Sequence, residues 1–229
     1  MRFGLQKLTL LDYPGLVACT VFTCGCNFRC PFCHNPALVT GSQEDLEYSF
    51  AELLEFLESR RKQLDGICLT GGEPLLYEES VMLMQAARAM GYRVKLDTNG
   101  SFPDRLAAVL ADNAADYVAM DIKNSPEKYE LTSGAKVLEK VQRSVELLKS
   151  GNCGYEFRTT VTGNLHEKAD FAAIGRWLAG TERYFLQGFR DSGAILAGDA
   201  APFAVSDEKL REFLAEVKKF IPAAEIRGR

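Results

Sequence analysis

Three cysteines, Cys26, Cys30 and Cys33, lie close together in Thr23-Cys24-Gly25-Cys26-Asn27-Phe28-Arg29-Cys30-Pro31-Phe32-Cys33-His34-Asn35-Pro36. Thiolates are soft ligands suited to zinc or to an iron–sulfur cluster, and this C-x3-C-x2-C spacing lets three of them converge only if the loop wraps around something. Structural zinc takes four ligands, usually as two separated pairs. No second pair is present, since Cys68 and Cys153 stand isolated in or beside strand-like runs, so zinc would need His34 or Cys24 as its fourth ligand. A third reading is plain apolar burial, although core thiols do not usually gather in a loop rich in Gly, Asn and Pro. A cluster held by three cysteines has one iron without a protein ligand, and an open coordination position is where a metal site takes a substrate.

Other polar groups recur after apolar runs: Thr70-Gly71-Gly72-Glu73-Pro74, Asp97-Thr98-Asn99-Gly100, Asp121-Ile122-Lys123, Arg158-Thr159-Thr160 and Gln187-Gly188. Alone, the first two read as glycine-containing turns. The third reads as a surface ion pair. Arg158 lies inside a strand pattern, where an arginine is costly unless it faces a polar pocket. A polar pocket on one rim of a sheet explains all five together, and scattered surface polarity does not.

The elements that must carry these groups alternate. Strands are expected over Leu16–Thr23, Gly66–Thr70, Tyr92–Asp97, Tyr117–Lys123, Tyr155–Thr162 and Tyr184–Gln187, each short and rich in β-branched or aromatic residues. Helices are expected between them. Ser49 with Glu52 fits a capping box ahead of Leu53, Phe56 and Leu57. Further helical patterns run over Val81–Met90, Arg105–Leu110, Val137 to Leu148 with Gly151 as the stop, Phe171–Leu178, and Leu210 to Val217. Six strand-then-helix units imply a parallel sheet, because parallel strands need crossovers. They are too few for a closed eight-stranded barrel, which leaves an open barrel or a doubly wound sheet. In both, chemistry sits at the C-terminal strand ends, where these motifs fall.

Composition sets the limits. The 229 residues are 47% hydrophobic and 25% charged, which excludes disorder, collagen and coiled coil. Arg and Lys number 27 against 31 Asp and Glu, a net charge of −4, so binding of nucleic acid through bulk positive charge is not expected. No apolar run reaches the roughly 18 residues of a membrane span, and the N-terminus carries no signal-peptide pattern. The expectation is a cytoplasmic chain with no membrane partner. The cysteines number seven, an odd count that does not suit a disulfide framework. No linker or repeat interrupts the chain, so residues 1–229 read as one domain.

C-x3-C-x-aromatic-C, with Phe32 as the aromatic, resembles the radical S-adenosylmethionine (SAM) enzymes. The resemblance implies an α/β fold, an open partial (β/α)6 barrel with parallel strands inside and helices outside. It implies a [4Fe–4S] cluster on Cys26, Cys30 and Cys33, and SAM bound at its unique iron. Gly71-Gly72-Glu73 resembles the family motif that contacts the methionine amino group. The Asp-Thr-Asn-Gly and Asp-x-Lys strand ends resemble those of glycyl radical enzyme activases. By that match Asp97, Thr98 and Asp121 hold a monovalent cation beside the methionine carboxylate. Lys123 and Arg158 contact the carboxylate and ribose side, and Gln187 stands where activases place a polar group.

From Leu8 to about Arg227, the chain is similar to activating proteins of anaerobic ribonucleoside-triphosphate reductase. The implied partners are that glycyl radical enzyme and a flavodoxin- or ferredoxin-type electron donor. Cys24 departs from the family pattern. Only Cys68 lies between Cys33 and Gly71, so a single cluster is expected, without the ferredoxin-like insert of some activases. A small-molecule or peptide-modifying relative, such as a 7-carboxy-7-deazaguanine synthase, is the second reading, and a zinc-binding interaction module the third.

The remaining residues read as packing or solvent. Trp177, Phe50, Phe56, Phe213, Phe220, Met82, Met84 and Met90 are expected in the core. His166 is expected in solvent at a helix start. Glu44, Asp45 and Glu47 form a polar loop, and Lys218, Lys219, Arg227 and Arg229 make a mildly basic C-terminus.

Overall fold

The computed structural model describes residues 1–41, 44 and 46–228; Asp45 and Arg229 lie outside the described residues. Nine strands form one sheet: β1 (Arg2–Thr9), β2 (Ala18–Thr23), β3 (Tyr48–Ser49), β4 (Gly66–Gly71), β5 (Arg93–Thr98), β6 (Tyr117–Asp121), β7 (Gly154–Val161), β8 (Tyr184–Gly188) and β9 (Glu225–Ile226). Their spatial order is β3-β1-β2-β4-β5-β6-β7-β8-β9. From β2 to β9 every pairing is parallel, while β1 pairs antiparallel with both β2 and β3.

Helices α1 (Pro36–Thr40), α2 (Phe50–Arg60), α3 (Glu78–Ala89), α4 (Pro103–Ala111), α5 (Tyr129–Ser133), α6 (Leu138–Ser150), α7 (Lys168–Trp177) and α8 (Asp207–Val217) complete the fold. The six expected strand-then-helix units are β2/α2, β4/α3, β5/α4, β6/α6, β7/α7 and β8/α8, the α/β architecture read from the sequence. Among the described residues no helix is long and apolar enough to cross a membrane.

Local chemistry sets the helix starts. Ser49 Oγ accepts the Glu52 N–H while Glu52 Oε2 accepts the Ser49 N–H at 2.8 Å, the expected capping box; losing such a cap costs about 1 kcal/mol. Pro103 starts α4, where its missing N–H has no helical partner to lose. Helix α6 stops at Gly151 as expected.

One face of the sheet packs on the helices through Val94, Leu96, Val118, Met120, Phe157 and Leu186 with Leu83, Leu106, Val145, Ile174 and Phe213. The other face is polar for much of its length. Lys95, Glu156 and Thr20 are all 2% exposed or less. Arg227 reaches Glu156 at 2.8 Å and stacks on Phe185, so it belongs to this interior and not to a basic tail.

Several side chains depart from the sequence expectation. Met82 is 51% exposed, on the outer face of α3, while Met84 is fully buried. Trp177 is only partly buried, edge-on to Tyr129. His166 is fully buried instead of solvated. It accepts the Thr162 N–H at Nδ1 (3.1 Å) and donates from Nε2 to the Lys123 carbonyl (3.0 Å), tying the ends of β6 and β7 together.

Burial pushes His166 down to about 4. The unfolded chain takes up this proton near 6.5 and the folded chain only near 4. Stability from this group is therefore complete above about pH 6.5 and falls as pH drops toward 4. Urea denaturation between pH 7 and pH 4.5 should show that loss in the wild type, and His166→Gln should show a smaller slope over the same interval.

Candidate active site

The strand ends of β2, β4, β5, β6 and β7 open onto a cavity of about 210 Å³. Residues after β2 cross these ends as a loop. Gly25 N–H donates to the Leu38 carbonyl of α1 at 2.7 Å, and Arg29 N–H to Ser133 at 2.8 Å. Leu196 and Ala197, from the segment after β8, donate to the carbonyls of Cys33 (3.2 Å) and Pro31 (2.9 Å). The backbone is thus held from both sides of the barrel. Cys26, Cys30 and Cys33 all line the cavity, with Phe32 among them.

Cys24 does not line it. Its thiol donates to the Gly41 carbonyl at 3.1 Å, stitching the loop start to the end of α1. Burial pushes the Cys30 thiol up to about 11 and raises Cys26, so both stay protonated at neutral pH until a metal centre displaces the proton. Among the described residues, no three His, Cys, Asp or Glu side chains stand close enough to hold one metal ion. Cys26, Cys30 and Cys33 would instead each supply one thiolate to a multi-iron cluster.

The strand end at Gly71-Gly72 packs on the loop itself. Gly71 has φ of +116°, and a side chain there would strike the Thr23 backbone. One at Gly72 would strike the Gly25 carbonyl. Gly72 and Glu73 N–H groups donate to Thr23 (2.9 Å) and Gly25 (2.8 Å). Both glycines line the cavity, but Glu73 does not. Its carboxylate is fully buried behind the wall, accepting from Thr98 Oγ1 (2.8 Å), Asn99 N (2.7 Å) and Leu75 N (3.0 Å). Burial raises it to about 7 against those hydrogen bonds.

Charges alternate across β5, β6 and β7. Lys95 pairs with Asp97, Arg158 bridges Asp97 (3.3 Å) and Asp121 (3.0 Å), and Lys123 closes on Asp121 at 2.9 Å. Asp121 and Arg158 are register partners. Burial alone would raise Asp121, but Lys123 and Arg158 overcome it and hold the carboxyl down to about 2. Burial would lower Lys123, and Asp121 outweighs that, so it is raised. Two of these cations, Lys123 and Arg158, line the cavity with the two carboxylates, while Lys95 is buried off its wall and pairs with Asp97.

The structure therefore brings Cys26, Cys30, Cys33, Phe32, Gly71, Gly72, Asp97, Thr98, Asp121, Lys123 and Arg158 to one cavity. Gln187, paired in register with Thr160, is not on its wall although Thr160 is. His34, Asn35 and Asn99 also line it. His34 stacks on Phe189 at 5.0 Å. Asn99 stood in a motif already noted and carried its own signal, an amide at a strand end.

A sequence model described as the radical SAM superfamily matches residues 20–175, which take in the cysteine loop and the strand ends through β7. The chain belongs to the radical SAM superfamily. This radical SAM protein is 28% identical over 232 residues to a Methanocaldococcus jannaschii protein named as a glycyl-radical enzyme activating enzyme, covering 98% of the chain and 94% of the relative. It is 35% identical over 118 residues to the 7-carboxy-7-deazaguanine synthase of Methanopyrus kandleri, covering 43% of the chain and 46% of that enzyme. It is 28% identical over 138 residues to the pyruvate formate-lyase-activating enzyme of Listeria monocytogenes, covering 55% of the chain and 54% of that enzyme. Its fold is similar to that of Streptococcus suis SuiB bound to S-adenosylmethionine, with a TM-score of 0.68 at 11% identity. That match covers 90% of the chain, which spans about half of SuiB (49%).

The residues present fit the family's cluster. They offer three soft donors on one cavity, Cys30 buried and Cys26 and Cys33 half-buried, with the fourth nearby thiol turned away. The monovalent cation implied by the resemblance has no such support, because both carboxylates that would hold it are already ion-paired.

Two outcomes follow. Arg158→Met removes the cation shared by the half-buried Asp97 and Asp121, each of which keeps a lysine partner, and should cost about 1–3 kcal/mol in urea denaturation. Cys24→Ala loses the thiol's bonding to the Gly41 and Ala37 carbonyls, about 1 kcal/mol, and should keep the iron and sulfide content and visible absorption of the reconstituted wild type.

Proposed function

We propose that this radical SAM enzyme is an activase that installs a glycyl radical on a partner enzyme. The observation that carries this reading is the near end-to-end match to a relative named for that activity. Cys26, Cys30 and Cys33 would hold a [4Fe–4S] cluster. Such a cluster, when bound, supplies the electron that splits SAM into methionine and a 5′-deoxyadenosyl radical, the species that takes a hydrogen atom from the substrate carbon.

The chain's own residues position the cofactor. The Lys123 and Arg158 side chains on the cavity wall suit the methionine carboxylate. The cavity-lining backbone of Gly71 and Gly72 suits the methionine amino group, with Glu73 fixing that wall from behind. Asp97 and Asp121 hold the two cations in place. Phe32 lines the cavity among the three cysteines and packs on Phe203 with ring centroids 6.3 Å apart. The hydrogen lost is an α-hydrogen of a glycine in the partner's loop. The partner we favour is an anaerobic ribonucleoside-triphosphate reductase, with a flavodoxin- or ferredoxin-type protein as electron donor.

A 7-carboxy-7-deazaguanine synthase-like activity is the second reading, favoured by the 35% identity to such an enzyme. That match leaves more than half of the chain uncovered.

Anaerobic electron paramagnetic resonance tests the proposal. Reconstituted, reduced protein is mixed with SAM and the glycyl radical enzyme of the same organism. A SAM-dependent glycyl doublet is expected. Deoxyadenosine without the doublet would move the substrate elsewhere, and Cys30→Ala should abolish both. SAM cleavage retained in Cys30→Ala would overturn the ligand assignment.

A further inference from the structure

Asn99 sits at the end of β5 and reaches toward the cysteine loop. Its Nδ2 lies 3.8 Å from the Sγ of Cys26 and 3.0 Å from Asn27 Oδ1. The amide is oriented by its other end. Asn99 Oδ1 accepts from Ser101 N (2.9 Å) and Ser101 Oγ (2.6 Å), so the NH2 must face the loop. Asn27 Nδ2 in turn donates to Ser101 Oγ at 2.9 Å. Asn99, Asn27 and Ser101 thus close a ring of hydrogen bonds, and the remaining N–H of Asn99 is left for sulfur. Behind the ring, Glu73 grips the Asn99 backbone N–H, and Asn99 itself is buried.

Cys26 also receives the Phe28 N–H at 3.4 Å. Among the described residues no side-chain or backbone N–H reaches the Sγ of Cys30 or Cys33. The donors fall on one of the three cysteines.

We infer that Asn99 is a positioning residue that donates a hydrogen bond to the Cys26 sulfur and thereby raises the reduction potential of the cluster. The inference rests on the cluster reading above. Donors to a ligating sulfur stabilise the more negative, reduced state, and they are a principal means by which a protein tunes iron–sulfur potentials. Reduction adds one electron to the cluster. Removing the donor therefore disfavours reduction and lowers the midpoint potential.

The test uses the reconstituted wild-type holoprotein, reduced and free of SAM, with its asparagine side-chain amides labelled with nitrogen-15. Pulsed electron paramagnetic resonance should detect a nitrogen-15 coupling to the reduced cluster. That coupling should persist in Asn27→Ala and vanish in Asn99→Leu. Redox titration of Asn99→Leu should show about a tenfold smaller equilibrium constant for reduction, about 59 mV for a one-electron couple, at unchanged iron and sulfide content.

A wild-type cluster signal with no asparagine-nitrogen coupling overturns the proposal without any variant having to fold. So does a coupling that vanishes in Asn27→Ala and survives in Asn99→Leu. A wild-type chain that takes up iron and sulfide as no cluster at all overturns the cluster reading, and this inference with it.

Discussion

The charges inside the barrel depend on one another. Lys95, Asp97, Arg158, Asp121 and Lys123 run across three adjacent strands, and none of them could be buried alone. An isolated buried ion costs several kcal/mol, and that cost is met only when the partner geometry is good and the remaining donors are satisfied. Arg158 makes the chain continuous, because its guanidinium reaches Asp121 on the adjacent strand β6 and Asp97 on β5 beyond it. The register that puts Asp121 beside Arg158 is thus an electrostatic requirement as much as a packing one. A slip of one residue would turn these charges onto the apolar helical face.

The cysteine loop is held by a different force. Backbone hydrogen bonds reach it from α1, from the end of α5 and from the segment after β8, and two glycines let β4 press against its start. Cys24 belongs to this scaffold. A thiol two residues before a ligand reads as a rival ligand, and only the fold shows it spent on the Gly41 carbonyl. Glu73 is similar. In sequence it is a carboxylate free to meet an ammonium, while in the fold three donors already occupy it.

Much of the architecture was legible because six strand patterns were strongly apolar and the motifs fell at their ends. The unread strands had no such pattern. β1 is exposed over much of its length and exists by pairing with β2, while β3 and β9 are two residues each. The cavity residues were legible as types at strand ends. Their partners were not. The burial of His166, the bond between Arg227 and Glu156, and the turn of Asn99 toward Cys26 all join segments distant in sequence. No local spacing encodes them, and for the same reason the place of Gln187 on its strand said nothing of where the cavity wall ends.

The bonds from Leu196 and Ala197 to the carbonyls of Cys33 and Pro31 bear on how the protein is made. A ribosome delivers the cysteine loop early and these two residues late. Until the segment after β8 emerges, the loop lacks one of its walls, and the six-unit barrel beneath it is unfinished. Pairings of this long range form late in folding. Until that segment docks, the thiols lack their final enclosure. A cluster held by this loop would gain its last wall only once the segment after β8 has docked.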